Sequence, residues 1–588
     1  MVLPSDVRPN HFLLGSEFAI TLITVTLAFI WPELGNGFFE RMERAFGELA
    51  RRRGIPIYAG VSVIVLRLAI LPWFPIPLPF VADDFSFLLA ADTFAHGRLT
   101  NPTPAMWMHF ETIHITMLPT YQSMYFPGQG LMLTAGQVLF GQPWLAQLAV
   151  DGVMCAALVW MLQAWLPRNW VLLGGAIAVL RLGLFSLWIN TYHTAAVPSA
   201  LGGALILGSL PRLMKTGRFR YGMAMGIGIA LLILTRPYEG FLLCLPVAVV
   251  LGRWVFKGKN RPPMGVLARR SVAPLLVVAG TLAWLGYYDY RAFGSPLTLP
   301  YTVDRAQYAV TPYYIWQHAR PEPAYRHAAM RDFYEQEELP LYTRVHSLRG
   351  FIPLSIAKAG FNLFFYTGFC LAPPLFMMRR VFLDRRIRFL IVCVLTLICG
   401  VAIEIYLIPY YTAPFSAAFY VIGLQMMRHL RVWRMGRSPV GLALVRFTVV
   451  ACVVMAGIRV VAEPLHLGPP EWDPGNWHFV WFGPQHFGTE RAQIEERLKQ
   501  LPGDQLVIVR YGGDHNPLDE WVFNGADIDG SKVVWARDMD VTDNLELLHY
   551  YRNRQVWLVE PDAIPARVTP YEDSGVGGVS GASGVSAH

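Results

Sequence analysis

Residues 55–84 read IPIYAGVSVIVLRLAILPWFPIPLPFVADD. Up to residue 79 the run is almost wholly apolar, longer than the about 20 residues that cross a bilayer as a helix. It ends on two adjacent carboxylates, Asp83 and Asp84. Acids at a membrane boundary cost free energy unless they are solvated, paired or employed. By composition alone, a solvated pair that closes the helix accounts for them.

Comparable runs lie near 12–31, 143–166, 170–189, 194–213, 221–235, 238–255, 271–290, 353–377, 388–407, 411–427 and 440–461. They predict an α-helical polytopic membrane protein with about twelve transmembrane helices. The apolar stretch 127–141 is short and reads as a re-entrant or interfacial segment. Hydrophobic residues make up 54% of the chain and charged ones 15%, against about 25% charged in soluble domains. This excludes disordered, collagen-like and small disulfide-stapled proteins and a mainly soluble enzyme. The net charge of +8 invites a nucleic-acid reading, but it divides unevenly. Residues 1–461 carry 40 Lys+Arg against 21 Asp+Glu, and residues 462–588 carry 9 against 20. A basic membrane region precedes an acidic tail, and no nucleic-acid partner is expected.

Lys and Arg in short loops mark the cytoplasmic side. The clusters Arg51–Arg53, Lys215/Arg218/Arg220, Lys257/Lys259/Arg261 with Arg269-Arg270, Arg379-Arg380 with Arg385-Arg386, and Arg428/Arg431/Arg434/Arg437 all fall on one side of the predicted spans. A full span at 127–141 would break that agreement. The outer side, periplasmic in a bacterial inner membrane, receives loops 80–142 and 291–352 and everything after 462. Residues 1–54 form an N-terminal anchor helix and a cytoplasmic amphipathic segment at 36–53, and 55–461 the main transmembrane region. All six cysteines fall in predicted spans and read as buried packing residues.

In 462–573, β-type runs (Val480-Trp481-Phe482, Leu506–Val509, Lys532–Trp535, Val556–Val559) alternate with helices at Thr489–Leu501 and Asp543–Arg552. This predicts a small acidic α/β domain outside the membrane. Gly512-Gly513-Asp514-His515-Asn516 reads as a plain turn, and the Gly/Ser-rich 574–588 as a disordered tail.

After Asp83-Asp84 come a predicted interfacial helix over Phe85–Arg98, then Trp107, His109, Glu111 and His114, then Tyr125-Phe126-Pro127-Gly128. Farther on are Thr235-Arg236-Pro237-Tyr238-Glu239-Gly240 and Tyr410-Tyr411-Thr412-Ala413-Pro414. In order and sidedness these resemble the GT-C superfamily of polytopic glycosyltransferases, in particular the protein O-mannosyltransferases and lipid A aminoarabinose transferases. The resemblance covers roughly residues 55–430; Phe126 stands where the family usually has Pro.

The resemblance implies transfer of a sugar from a polyprenyl-phosphate donor to an acceptor hydroxyl on a glycan, lipid or protein, with inversion. It makes Asp83 the general base and Asp84 its helper. Glu111 is a second candidate acid, or a surface carboxylate. A leaving phosphate needs positive charge where its own develops, and Arg236, at an outer helix end, is the first candidate. Arg291 and Arg320 are weaker ones, and Arg67 and Arg181 lie within spans. Tyr125, Glu404 and His193 complete the candidate substrate contacts, with His193 more simply a satisfied interface histidine. Trp107, Tyr121, Tyr313, Tyr314 and Trp316 suit either an interfacial belt or sugar stacking. The pattern calls for no cofactor and no metal. A lipid or glycan transporter or flippase, a non-catalytic scaffold, and a polysaccharide polymerase or ligase are the competing classes.

Overall fold

The structure is a computed structural model that describes residues 11–258, 261–406, 408–467, 480–481 and 488–571. Lys259, Phe482 and the expected disordered tail at 574–588 lie outside the described residues.

Each predicted span contains helix, but not twelve full-length ones. Six described helices are long and apolar enough to cross a membrane. They are His11–Ile30, Pro143–Trp165, Ala196–Thr216, Pro237–Lys257, Met264–Phe293 and Val440–Ala462. Ile55–Ala69, Phe219–Thr235 and Arg388–Ala402 are apolar but shorter. Hydropathy overran the helix at 55–79 because the apolar residues between Pro72, Pro75, Pro77 and Pro79 keep the run apolar, while the prolines lack the N–H a helix needs. There the chain leaves the helix through a turn and runs without regular structure to Phe80. The span at 170–189 becomes Arg168–Ala178 continued by a π-helical turn, Val179–Leu184. The one at 411–427 opens as a 3₁₀ turn, Pro409–Phe415, before Ser416–Arg431. Pro127–Phe140 is a 14-residue helix packed on Ala82–Ala95 and Pro143–Trp165.

Basic loops contact neighbouring ones. Glu43, on the amphipathic helix Asn36–Leu49, pairs with Arg431 and Arg446, each at 2.9 Å. Arg270 donates to the Gly217 carbonyl at 2.6 Å. Of the cysteines expected to be buried, Cys399 is exposed and Cys244 half-buried.

The tail domain carries a four-stranded sheet. Gln505–Val509 is central, flanked in parallel by Val533–Arg537 and Gln555–Glu560, with Arg567–Pro570 antiparallel at the edge. Thr489–Gln500 and Val541–Tyr550 are its helices. The expected strand at Val480-Trp481 is absent. Both residues are buried in the membrane-region core; Trp481 offers its carbonyl to Arg459 at 3.1 Å and its ring to Arg181.

Candidate active site

Asp83 and Asp84 open the helix Ala82–Ala95, where the positive end of the helix dipole favours carboxylates. The two acids face different surroundings. Asp84 is fully buried. Its Oδ2 accepts from the backbone N–H of Phe80 at 3.1 Å and Val81 at 3.4 Å. Its Oδ1 accepts from Tyr192 N–H at 2.8 Å and His193 Nδ1 at 3.0 Å. Asp84 thus ties three segments together.

Asp83 stands in the wall of a cavity of about 190 Å³. A short ribbon delivers its partners. Ile115–Thr116 pairs antiparallel with Gln122–Ser123, so His114, just before it, and Tyr125, just after it, emerge side by side. His114 Nδ1 and the Tyr125 hydroxyl, the latter at 2.5 Å, both donate to Asp83 Oδ1. Asp83 Oδ2 has no hydrogen-bond partner among the described residues. His114 sits at φ 63°, a left-handed conformation costing on the order of 1 kcal/mol in a non-glycine residue. Its carbonyl is pinned by Ser86 Oγ at 2.7 Å and Met124 N–H at 3.2 Å. Burial works to raise the Asp83 carboxyl, but the His114 charge and hydrogen bond, with His193 and Tyr125, bring it down to about 2. Burial works to lower the His114 imidazole, and Asp83 outweighs it, so His114 is raised. Asp304, buried nearby, is pushed up to about 6 by burial, against the pull of His114.

Five more tyrosines, Tyr301, Tyr313, Tyr406, Tyr410 and Tyr411, stand in the wall among aliphatic side chains, with the carboxylates Glu337 and Glu338. Two further cations line it. Arg305 is committed to Glu338, with nitrogen–oxygen contacts at 2.6 and 2.8 Å. Lys358 donates to the Glu404 carbonyl and has no carboxylate in ion-pair contact among the described residues. Lys358 also borders a second cavity of about 300 Å³, walled mainly by apolar side chains such as Leu363, Ile391, Leu397 and Met427. Pro517 and Leu518 of the tail domain close part of the Asp83 cavity.

The other expected site residues are dispersed. Arg236 is buried and stacks on Tyr411 at 4.1 Å and Tyr410 at 5.1 Å, with Glu239 at 3.9 Å. It is not a wall residue, and its charge meets the cavity through those two rings. The segment after Tyr125 reaches this corner because Gly128 has no side chain; a Cβ there would fall 2.6 Å from the Leu234 carbonyl. His193 belongs to the Asp84 tie. Glu404 is buried beside the wall, bridging through its backbone to Tyr314. Glu111 is no wall residue either: Arg326 and Tyr308 hold it at 3.3 Å, and Arg537 of the tail domain donates to its carbonyl at 2.6 Å. Arg291 is exposed at the end of Met264–Phe293 and bonds Tyr287 at 3.1 Å. Arg320 donates to the Arg305 carbonyl at 2.8 Å.

Arg67 and Arg181 are buried away from the Asp83 cavity. Arg67 donates to the Phe74 and Pro75 carbonyls at 2.7 and 3.1 Å, and Arg181 faces Glu17 at 3.8 Å. Sequence reasoning missed Lys358, Arg305 and Asp304. Lys358 carried a legible signal, a lone lysine inside an apolar span; Arg305 and Asp304 look like any other loop charges.

No family model matches the chain, and no curated protein matches it. Among solved structures, it is similar to ArnT from Cupriavidus metallidurans in the apo state, with a TM-score of 0.45 and 16% identity over 85% of this chain and 92% of that one. The same protein bound to undecaprenyl phosphate gives 0.45 and 15% over the same shares. The Archaeoglobus fulgidus oligosaccharyltransferase gives 0.42 and 11%, over 78% of this chain and 62% of that one. A likeness at these values is one of general shape.

Proposed function

We propose that the chain is a GT-C-type membrane glycosyltransferase, seated in a bacterial inner membrane with its tail domain on the periplasmic side. It moves a sugar from a polyprenyl-phosphate donor to an acceptor hydroxyl, with inversion, at the cavity beside Asp83. One observation carries this reading: a carboxylate with one oxygen held by two donors and the other without a partner among the described residues, in a tyrosine-lined cavity that adjoins an apolar one across Lys358.

The apolar cavity suits a prenyl chain, and Lys358, at the junction, suits its phosphate. The sugar then lies on the Asp83 side among the tyrosines. The acceptor oxygen forms its bond to the anomeric carbon as the bond from that carbon to the phosphate oxygen breaks. The acceptor proton passes to Asp83 Oδ2, and the lipid phosphate leaves with the electron pair, its charge met by Lys358. A carboxyl held near 2 is a weak base toward a free hydroxyl. It suits a reaction in which the hydroxyl turns strongly acidic only as its bond to an electron-poor anomeric carbon forms. Asp84 positions the Asp83 helix, and Arg236 orders Tyr410 and Tyr411.

Asp83→Asn in the purified protein tests the assignment, with polyprenyl-phosphate sugars as donors. Loss of a general base predicts a fall of about 10²–10⁴ in turnover, with donor binding retained. Full transfer by that variant would remove Asp83 from the role. Lys358→Met should instead weaken donor binding about tenfold or more, as expected for a lost charge-assisted contact.

A further inference from the structure

At the opposite end of the bundle, a cleft of about 670 Å³ gathers Arg380, Arg386, Arg428 and Arg431 around Asp384 and His429. Positive loops are expected at that end, but expectation does not account for their convergence. The arginines come from two segments far apart in sequence, the short helix Met378–Phe382 with the turn after it, and the end of Ser416–Arg431. Their carboxylates are few and occupied. Asp384 accepts from Gln425 at 2.5 Å and from the Arg386 backbone N–H at 2.9 Å, with His429 at 3.5 Å. Arg431 is taken by Glu43 at 3.0 and 2.9 Å. Among the described residues, Arg428 donates to the Gln425 amide oxygen alone, at 2.7 Å. Arg380, Arg386 and Arg428 have no carboxylate in ion-pair contact among the described residues. Burial lowers the Arg428 guanidinium and Arg386 adds to this, against the pull of Asp384, as expected where like charges outnumber the carboxylates beside them.

The rim of the cleft is apolar. Leu383 and Val432 line it and are 68% and 71% exposed, and Phe382 and Phe376 stand exposed nearby. Trp170, a residue type favoured at membrane interfaces, completes the wall. The amphipathic helix Asn36–Leu49, joined to the cleft through Glu43 and Arg431, adds exposed Phe38 and Met42. A free phosphate would satisfy the arginines but leave these side chains uncovered. We infer that this cleft binds the headgroup of an anionic phospholipid, its phosphate on Arg380, Arg386 and Arg428 and its acyl chains along Leu383 and Val432. The site is independent of the Asp83 cavity.

The test uses the full-length protein in a neutral detergent, with lipid binding read by native mass spectrometry and Tm read alongside. Phosphatidylglycerol, phosphatidylcholine and inorganic phosphate are added in separate arms. Wild type should retain phosphatidylglycerol over phosphatidylcholine, and its Tm should rise only with the former. Each basic residue near a membrane surface is worth about fivefold toward anionic lipid, so Arg386→Gln with Arg428→Gln should cut the preference tenfold or more. Arg52→Gln with Arg53→Gln, at exposed positions outside the cleft, should leave it unchanged. If the cleft pair fails to fold, Arg380→Gln alone should cut the preference about fivefold. Equal retention of the two lipids, a wild-type preference in the cleft variants, or the same Tm rise with inorganic phosphate alone would overturn the inference.

Discussion

Two donors converge on a single oxygen of Asp83, and one of them, His114, is itself titratable. Asp83 lies near 2 in the folded protein against an ordinary 3.8, and His114 lies above its ordinary 6.5. A depressed acid stabilises the fold fully above its ordinary value, and that contribution is lost as pH falls toward 2. A raised histidine stabilises it fully below about 6.5, and the contribution is lost as pH rises through the folded value. The pair is therefore strongest between these limits, and transfer should show no acid limb in the ordinary carboxylate range. In His114→Ala the largest influence lowering Asp83 is gone while its burial remains. An acid limb should then appear above pH 4 in the turnover profile; His114→Gln, which keeps a donor, should shift it less. An unchanged acid side in His114→Ala would show that His114 does not set the charge of Asp83. The aspartate pair was legible in the sequence because two acids closing an apolar run are conspicuous. Their division of labour was not, since it depends on His114 and Tyr125 meeting across a ribbon of two-residue strands.

The helix His11–Ile30 lies outside the region of family resemblance, and one buried ion pair joins it to the bundle. Glu17 and Arg181 are both essentially inaccessible and 3.8 Å apart. Arg181 also donates to the Phe365 carbonyl at 3.2 Å, and Glu17 accepts from Cys370 N–H at 3.3 Å. Gly368, at φ 54°, lets Glu17 in; a Cβ there would meet a carboxylate oxygen at 2.4 Å. Removing one member of a buried pair typically costs about 3–5 kcal/mol, whereas apolar replacement of both is often neutral or stabilising. Glu17→Ala should therefore lower thermal stability sharply, while Glu17→Leu with Arg181→Met should restore most of it. Equal losses in the two proteins would mean that side-chain shape, not charge, makes the joint. Apolar runs located this element and the other spans. Helix ends were less legible, because scattered prolines leave an apolar run long enough to read as a span yet end the helix at Ala69. Arg181 stood out as an intramembrane charge, but its partner lies on another helix and no local pattern links the two.

Across the whole molecule, the tail domain rests on the helix that carries Asp83. Phe523 stacks on Phe85 with ring centroids 4.2 Å apart and planes 6° from parallel. Arg491 lies 4.8 Å from the Phe85 ring. Ala526 N–H donates to Asp92 at 2.7 Å, and the Tyr121 hydroxyl to the Asn524 carbonyl at 2.9 Å. Phe85 follows Asp83 by two residues on the same helix, so tilting that helix would displace the carboxylate from His114 and Tyr125. An acidic composition revealed the domain in sequence but not this seating, because its anchors are single aromatic and polar residues scattered over 491–526. Phe523→Ala removes a buried ring, a change that typically costs about 3–5 kcal/mol, and leaves Phe85 without its partner. A misplacement of about 1 Å at a reacting group can cost about 10²-fold in rate. The folded fraction of Phe523→Ala should thus lose ten- to a hundredfold in kcat with little change in donor affinity. Phe523→Tyr, which preserves the stack, should retain most of the rate. Wild-type kcat in the folded fraction of the alanine variant would make the tail domain a passenger with respect to catalysis. A loss confined to KM would instead locate its contribution in substrate contact, through Pro517 and Leu518 at the cavity wall.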